Sequence, residues 1–185
     1  MKKLLLILLC LPMIGFGQTS LELGERIYFK NNPKAKKVNI SFKEPKGWEK
    51  SNESFGIDKS NIVVSYVNSF NPSIVQLYVS EAPWKKMSKA EIDKLLNDNE
   101  FVNSFIANSY SSESGYIVED VSLIYINNYP FLQVLAENYE IQYQVSWATF
   151  IEDKWVNIVG SALKENFAGI FPFFNQLKET IILQQ

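Results

Sequence analysis

The chain has no histidine, and its one cysteine is Cys10. Histidine and cysteine are the commonest general bases, nucleophiles and soft metal ligands. Their shortage argues against acid–base, nucleophilic, zinc and iron chemistry. No Gly-x-Ser-x-Gly elbow and no glycine-rich phosphate loop occurs. No lysine or arginine lies between Leu95 and Asp153. The first apolar run is too short for a transmembrane helix, and no later one is long enough. The formal charge of −2 leaves no overall electrostatic footprint for nucleic acid.

What is present begins with a sorting signal. Lys2-Lys3 make a positive start, Leu4 to Ile14 an apolar core, and Gly15-Phe16-Gly17 small residues where a signal peptidase reads. Residues 1–17 are expected to be a signal peptide, with the mature chain starting at Gln18. Leu9 precedes Cys10, where a lipid anchor needs a small residue, so Cys10 is expected to leave with the signal. The style of the signal is that of a bacterial periplasmic or secreted protein. The mature chain then has no cysteine, and its core alone must stabilise it. Asn39-Ile40-Ser41 and Asn52-Glu53-Ser54 match a glycosylation acceptor pattern that arises often by chance. The 185 residues suffice for one domain. It is expected over 38–185, after an N-terminal segment 18–37.

Gln142 to Leu163 reads as a β-hairpin, with two runs of β-branched and aromatic residues around a charged turn near Asp153-Lys154. The expected register sets Ile151 against Val156, Thr149 against Ile158, Trp147 against Gly160 and Val145 against Ala162. That gives one apolar face and one mixed face, as in a sheet covered on both sides. Further strands are expected over Arg26–Lys30, Val38–Lys43, Ile62–Val67, Ile74–Val79, Tyr116–Ile126 and Phe131–Glu137. The last two flank a turn at Asn127-Asn128-Tyr129-Pro130. Ser88-Lys89-Ala90-Glu91 is a capping box. It opens a helix with Ile92, Leu95, Leu96, Val102, Phe105 and Ile106 on one stripe, which Asn97-Asp98-Asn99 kinks or splits. Ser111–Gly115 is a polar loop. Glu165–Phe171 is expected to be a turn, with Pro172 opening a terminal helix.

Ile40-Ser41-Phe42-Lys43-Glu44-Pro45-Lys46-Gly47-Trp48 resembles the opening of PsbP-like domains, in which an apolar strand runs into a proline, a glycine and a tryptophan. The later layout is similar over roughly residues 38–183, down to a last helix entered through Phe167–Phe174. Asn127-Asn128 stands where that group is expected to have glycine. The resemblance implies an α+β fold, an antiparallel β-sheet flanked by helices in the α-β-α sandwich shared with Ran-binding Mog proteins. It also implies no catalytic centre. It names no partner.

Three chemical candidates remain. Ser161-Ala162-Leu163-Lys164 matches Ser-x-x-Lys, but on a strand, whereas that motif works on a helix turn. Glu119-Asp120, Glu137, Glu140 and Glu152-Asp153 are the carboxylates available for glycoside chemistry. Asn97-Asp98-Asn99-Glu100 offers oxygens to calcium without the spacing of an EF-hand. Charge is distributed unevenly: the stretch from Leu95 to Asp153 is purely acidic, while Arg26 to Lys50 is mainly basic. The expected function is therefore an exported, non-catalytic accessory or binding protein of the bacterial cell envelope, with a protein partner and no cofactor or metal. Its interaction surface is expected at Tyr110, Glu119, Asp120, Tyr129, Glu137 and Glu140, with the two tyrosines exposed. The alternatives are a small-molecule carrier with an apolar pocket between the sheet and the Ile92–Ile106 helix, and a carboxylate-based glycan-active or calcium-dependent protein.

Overall fold

A computed structural model describes residues 21–51, 59–110 and 115–184. The expected signal peptide, Asn52-Glu53-Ser54 and most of the Ser111–Gly115 loop lie outside the described residues. The strands are β1 (Leu23–Tyr28), β2 (Asn39–Pro45), β3 (Glu49–Lys50), β4 (Ile62–Asn68), β5 (Ser73–Glu81), β6 (Tyr116–Ile126), β7 (Tyr129–Asn138), β8 (Gln142–Ile151), β9 (Lys154–Leu163) and β10 (Ile182–Gln184). The helices are α1 (Lys89–Leu96), α2 (Asn99–Ser109) and α3 (Lys164–Glu179). One sheet has the order β3-β4-β5-β9-β8-β7-β6 and a smaller one β1-β2-β10, with antiparallel pairings throughout. β1, in the segment expected to precede the domain, pairs with β2, so the same fold runs across Val38.

The large sheet is covered on both faces. Phe174 of α3 lies over Gly160 on one face, and α3 packs on β8, β9 and β2. Phe101 and Phe105 of α2 meet Phe150 and Trp155 on the other face. Phe173 and Phe174 are almost fully buried, and each such side chain contributes about 1.5–3 kcal/mol. This is the α-β-α arrangement that the mixed hairpin called for.

Local chemistry explains the element boundaries. Ser88 and Glu91 close the capping box at α1. Asn97-Asp98 then ends that helix, and Asp98 caps the next one by accepting from the Glu100 and Phe101 N–H groups. At the β6–β7 turn, Asn127 and Asn128 have φ of 48° and 63°. Asparagine tolerates this left-handed region better than most residues, so it serves where glycine was expected.

Three expectations need correction. The β8–β9 loop is Glu152-Asp153, and Ile151 pairs with Lys154, Trp147 with Ile158 and Val145 with Gly160. The register is two residues from the expected one, and a shift of two leaves each side chain on its expected face. Gly160 is needed by α3, since a Cβ there would lie 2.8 Å from the Phe174 ring. Second, α3 starts at Lys164 and runs through Pro172. Pro172 and Ala168 are both exposed, so the helix carbonyl left without its partner is on the solvent side. Burial of Phe167, Ile170, Phe174 and Leu177 along one stripe outweighs the lost bond. Third, the chain ends in β10, paired with β2, rather than in a helix.

Candidate functional site

β6 carries a bulge at Glu119, where the register shifts between Val118 and Asp120. A bulge leaves one residue unpaired and re-aims it. Glu119 accepts the Tyr143 hydroxyl proton at 2.6 Å. Glu137, opposite Tyr143 on the neighbouring strand, accepts from Lys164 Nζ at 2.8 Å. Lys164 Nζ also lies 5.5 Å from the centre of the Tyr143 ring. Glu140, one turn away, adds its charge to the same lysine. The first residue of α3 thus supplies a cation to a carboxylate group built from β6, β7 and the β7–β8 turn.

The protonation states follow. The hydrogen bond from Lys164 holds the Glu137 carboxyl below the usual carboxylate range, although burial opposes it. The Lys164 ammonium is held above its ordinary value, first by that bond. Hydrogen bonds to Glu119 and Glu137 push the Tyr143 phenol well upward. A glycosidase needs one carboxyl raised so that it can donate a proton near neutrality. Glu137 is moved the opposite way.

Hydrophobic side chains surround this cluster. Ile117, opposite Glu137 in the ladder, is 60% exposed, and Tyr139 and Ile141 are 64% and 63% exposed. Tyr139 and Glu140 have φ of 50° and 58°, a region bulky residues rarely adopt. Gly115, at φ +75°, makes the turn possible: a Cβ there would meet the Tyr139 ring at 2.4 Å. The Tyr139 N–H donates to the Gly115 carbonyl at 2.9 Å.

Of the six expected surface residues, Glu119, Glu137 and Glu140 come together. Asp120 is apart, opposite Leu135, with the Ser122 hydroxyl at 3.5 Å. Tyr110 and Tyr129 are not exposed. Tyr110 is 8% exposed, and its hydroxyl lies 2.6 Å from Ser146 Oγ beneath the Phe105 ring. Tyr129 opens β7, is 6% exposed, and donates to the Phe150 carbonyl at 2.9 Å. Both phenols find polar partners, which lets tyrosine pack inward. Tyr143, Lys164, Tyr139 and Ile141 were missed as site residues. The signal for Lys164 was its place among the first cations after the acidic stretch.

The other candidates are otherwise engaged. Ser161 Oγ donates to the Tyr143 carbonyl at 3.1 Å and accepts from Gln142 Nε2, while Lys164 is on Glu137. Asp98 is the α2 cap, and no metal-binding group of three acidic side chains occurs among the described residues. The apolar pocket expected between the sheet and the Ile92–Ile106 segment is filled by rings: Trp84–Phe150 at 4.9 Å, Phe150–Trp155 at 4.6 Å and Phe105–Trp155 at 4.9 Å between centres. A small apolar pocket between the Val67–Ile74 turn and Gln142–Leu163 holds about 230 Å³, below the range of typical ligand sites. No helix among the described residues is long and apolar enough to cross a membrane.

No family model and no curated protein matches the chain. Solved structures do. The cyanobacterial PsbP (CyanoP) from Synechocystis is similar at a TM-score of 0.60 and 11% identity, over 94% of this chain and 99% of that one. LpqN, involved in cell envelope biogenesis of Mycobacterium tuberculosis, is similar at 0.50 and 12%, over 80% and 84%. A protein from Bacteroides thetaiotaomicron is similar at 0.53 and 9%, over 89% of this chain and 50% of that one. The fold is PsbP-like, as the Pro-x-Gly-Trp segment implied. Within it, Trp48 stacks on Phe173 of α3 with ring centres 5.3 Å apart.

Proposed function

We propose that the protein is an exported, non-catalytic binding protein of the bacterial cell envelope, and that it holds a protein partner at the acidic end of its large sheet. The observation that carries this reading is the exposure of Ile117, Tyr139 and Ile141 around Glu119 and Glu140. Apolar anchors beside charged groups make a recognition surface, and tyrosine is enriched among residues that dominate binding energy. The partner would bring an apolar contact flanked by lysine or arginine. Export is supported by the Lys2-Lys3 start, the apolar run and the small residues after it. An envelope role is supported by the fold shared with LpqN, a protein of cell envelope biogenesis. The absence of catalysis is supported by the lowered Glu137 carboxyl and by Ser161 being held on a backbone carbonyl.

The test is a crosslinking pull-down from the cell envelope, comparing the native protein with Tyr139→Ala/Ile141→Ser. One reproducible partner, retained by the native protein and lost with the folded variant, is expected. Equal recovery by both would move the surface elsewhere. No partner in either, together with a thermal shift on adding a sugar or calcium, would favour the glycan or calcium alternative.

A further inference from the structure

The other end of β8 has a second arrangement, independent of the partner surface. The Glu152-Asp153 turn and the segment from Lys30 to Asn39 wall a cavity of about 420 Å³, within the range of small-molecule sites. Lys30, Lys36, Lys37 and Lys154 line it, against the two carboxylates Glu152 and Asp153. Both carboxylates already hold a cation: Glu152 has Lys86 Nζ at 2.6 Å and Asp153 has Lys154 Nζ at 2.7 Å. Lys154 also reaches Glu81 at 2.7 Å. Lys36 Nζ donates to the Asn61 side-chain oxygen at 3.0 Å. Lys30 and Lys37 are exposed and form no ion pair among the described residues.

The backbone is unusual at the same place. Lys36 and Lys37 have φ of 51° and 71°, a conformation that lysine rarely adopts and that clusters at ligand sites. Asn32 caps the short Pro33–Ala35 turn that delivers them, accepting from the Lys34 N–H at 2.9 Å and donating to the Val63 carbonyl at 3.2 Å. The turn's own backbone hydrogen bonds use the N–H groups of Ala35, Lys36 and Val38, and none uses that of Lys37.

We propose that this cavity binds a phosphate group through Lys30, Lys36 and Lys37. Lysine acts on phosphate as a point charge, whereas a carboxylate ligand is better matched by the arginine fork. The chain's single arginine, Arg26, is elsewhere, donating to Ser41 Oγ at 3.1 Å and the Thr180 carbonyl at 2.8 Å. The phosphate comes either from a soluble phosphomonoester or from a phospholipid headgroup.

Calorimetric titration of the purified protein with glycerol 3-phosphate, beside flotation with phosphatidylglycerol vesicles, tests this. Binding in at least one arm is expected, weakened about tenfold by Lys30→Gln/Lys37→Gln, the scale of one lost charge-assisted contact. Lys43→Gln, outside the cavity, should leave it unchanged. Binding to the soluble probe identifies a free ligand, and binding only to vesicles identifies a headgroup. Either supports the site when it depends on Lys30 and Lys37. Should the double variant not fold, Lys37→Gln alone is expected to weaken binding about threefold. Binding in neither arm would overturn the proposal, and so would equal weakening by Lys43→Gln, which would mark diffuse surface charge.

Discussion

At the Gln142 end of β8, Glu137 meets Lys164 at 2.8 Å and Glu119 meets the Tyr143 hydroxyl at 2.6 Å. At the Ile151 end, Lys30 and Lys37 meet no carboxylate among the described residues. The strand has ten residues, which places the two ends about 30 Å apart. Each end is built on a turn whose non-glycine residues have positive φ: Tyr139 and Glu140 at one, Glu152 and the nearby Lys36-Lys37 at the other. The acidic end is partly neutralised from within, and what it leaves exposed is mainly apolar. The basic end is left open. A charge run in a sequence therefore does not measure the field at the surface, since a strand or helix that folds back can supply the counter-charge.

The largest expected effect is at the Gly115 turn. Gly115→Ala combines a left-handed φ with a Cβ 2.4 Å from the Tyr139 ring. A melting temperature lower by roughly 4–8 °C is expected, with loss of the partner, since the strain is about 2 kcal/mol in a chain of this size. Unchanged stability would mean that the turn is not held as described.

Glu137→Gln separates the two ends by pH. The native carboxyl has its folded pKa below the model value of 4.5. Its stabilisation is therefore complete above that value and is lost as pH falls through the folded one. The variant should melt below the native protein at pH 7, and the gap should close towards pH 3. Lys30→Gln/Lys37→Gln should leave the melting temperature nearly unchanged at both pH values. A gap at Glu137 that is independent of pH would contradict the ion pair.

The smallest effects sharpen the contrast between strain and use. Lys37→Gly and Glu140→Gly each relieve a left-handed non-glycine residue, and a gain of about 1 kcal/mol in chemical denaturation is expected from each. Lys37→Gly should weaken phosphate binding only, and Glu140→Gly partner binding only. If one variant impaired both, the ends would not be independent.

The faces of the hairpin were legible in the sequence because alternation is local. Its register was not, because the turn could be placed in more than one way. Capping residues revealed the break between α1 and α2. They could not reveal α3 through Pro172, where the deciding term is burial of Phe167, Ile170 and Phe174 against distant strands. Nearness to turns and loops misled for Tyr110 and Tyr129, whose hydroxyls are satisfied from Ser146 and Phe150 across the sheet. The Glu137–Lys164 pair joins residues 27 positions apart, and no local spacing announces it. The carboxylates of β6 also lie on an edge strand, where charge and a bulge block edge-to-edge pairing. They therefore serve the fold whether or not a partner uses them.

The most direct test of the partner surface is site-specific photo-crosslinking in intact cells, with the reactive side chain placed at Ile117, Ile141 or Tyr28. Tyr28 is 68% exposed in the smaller sheet and serves as the reference. Adducts to one envelope protein from positions 117 and 141, and none from position 28, are the predicted result. Adducts from position 28 alone, or equal adducts from all three, would contradict a partner surface at the acidic end.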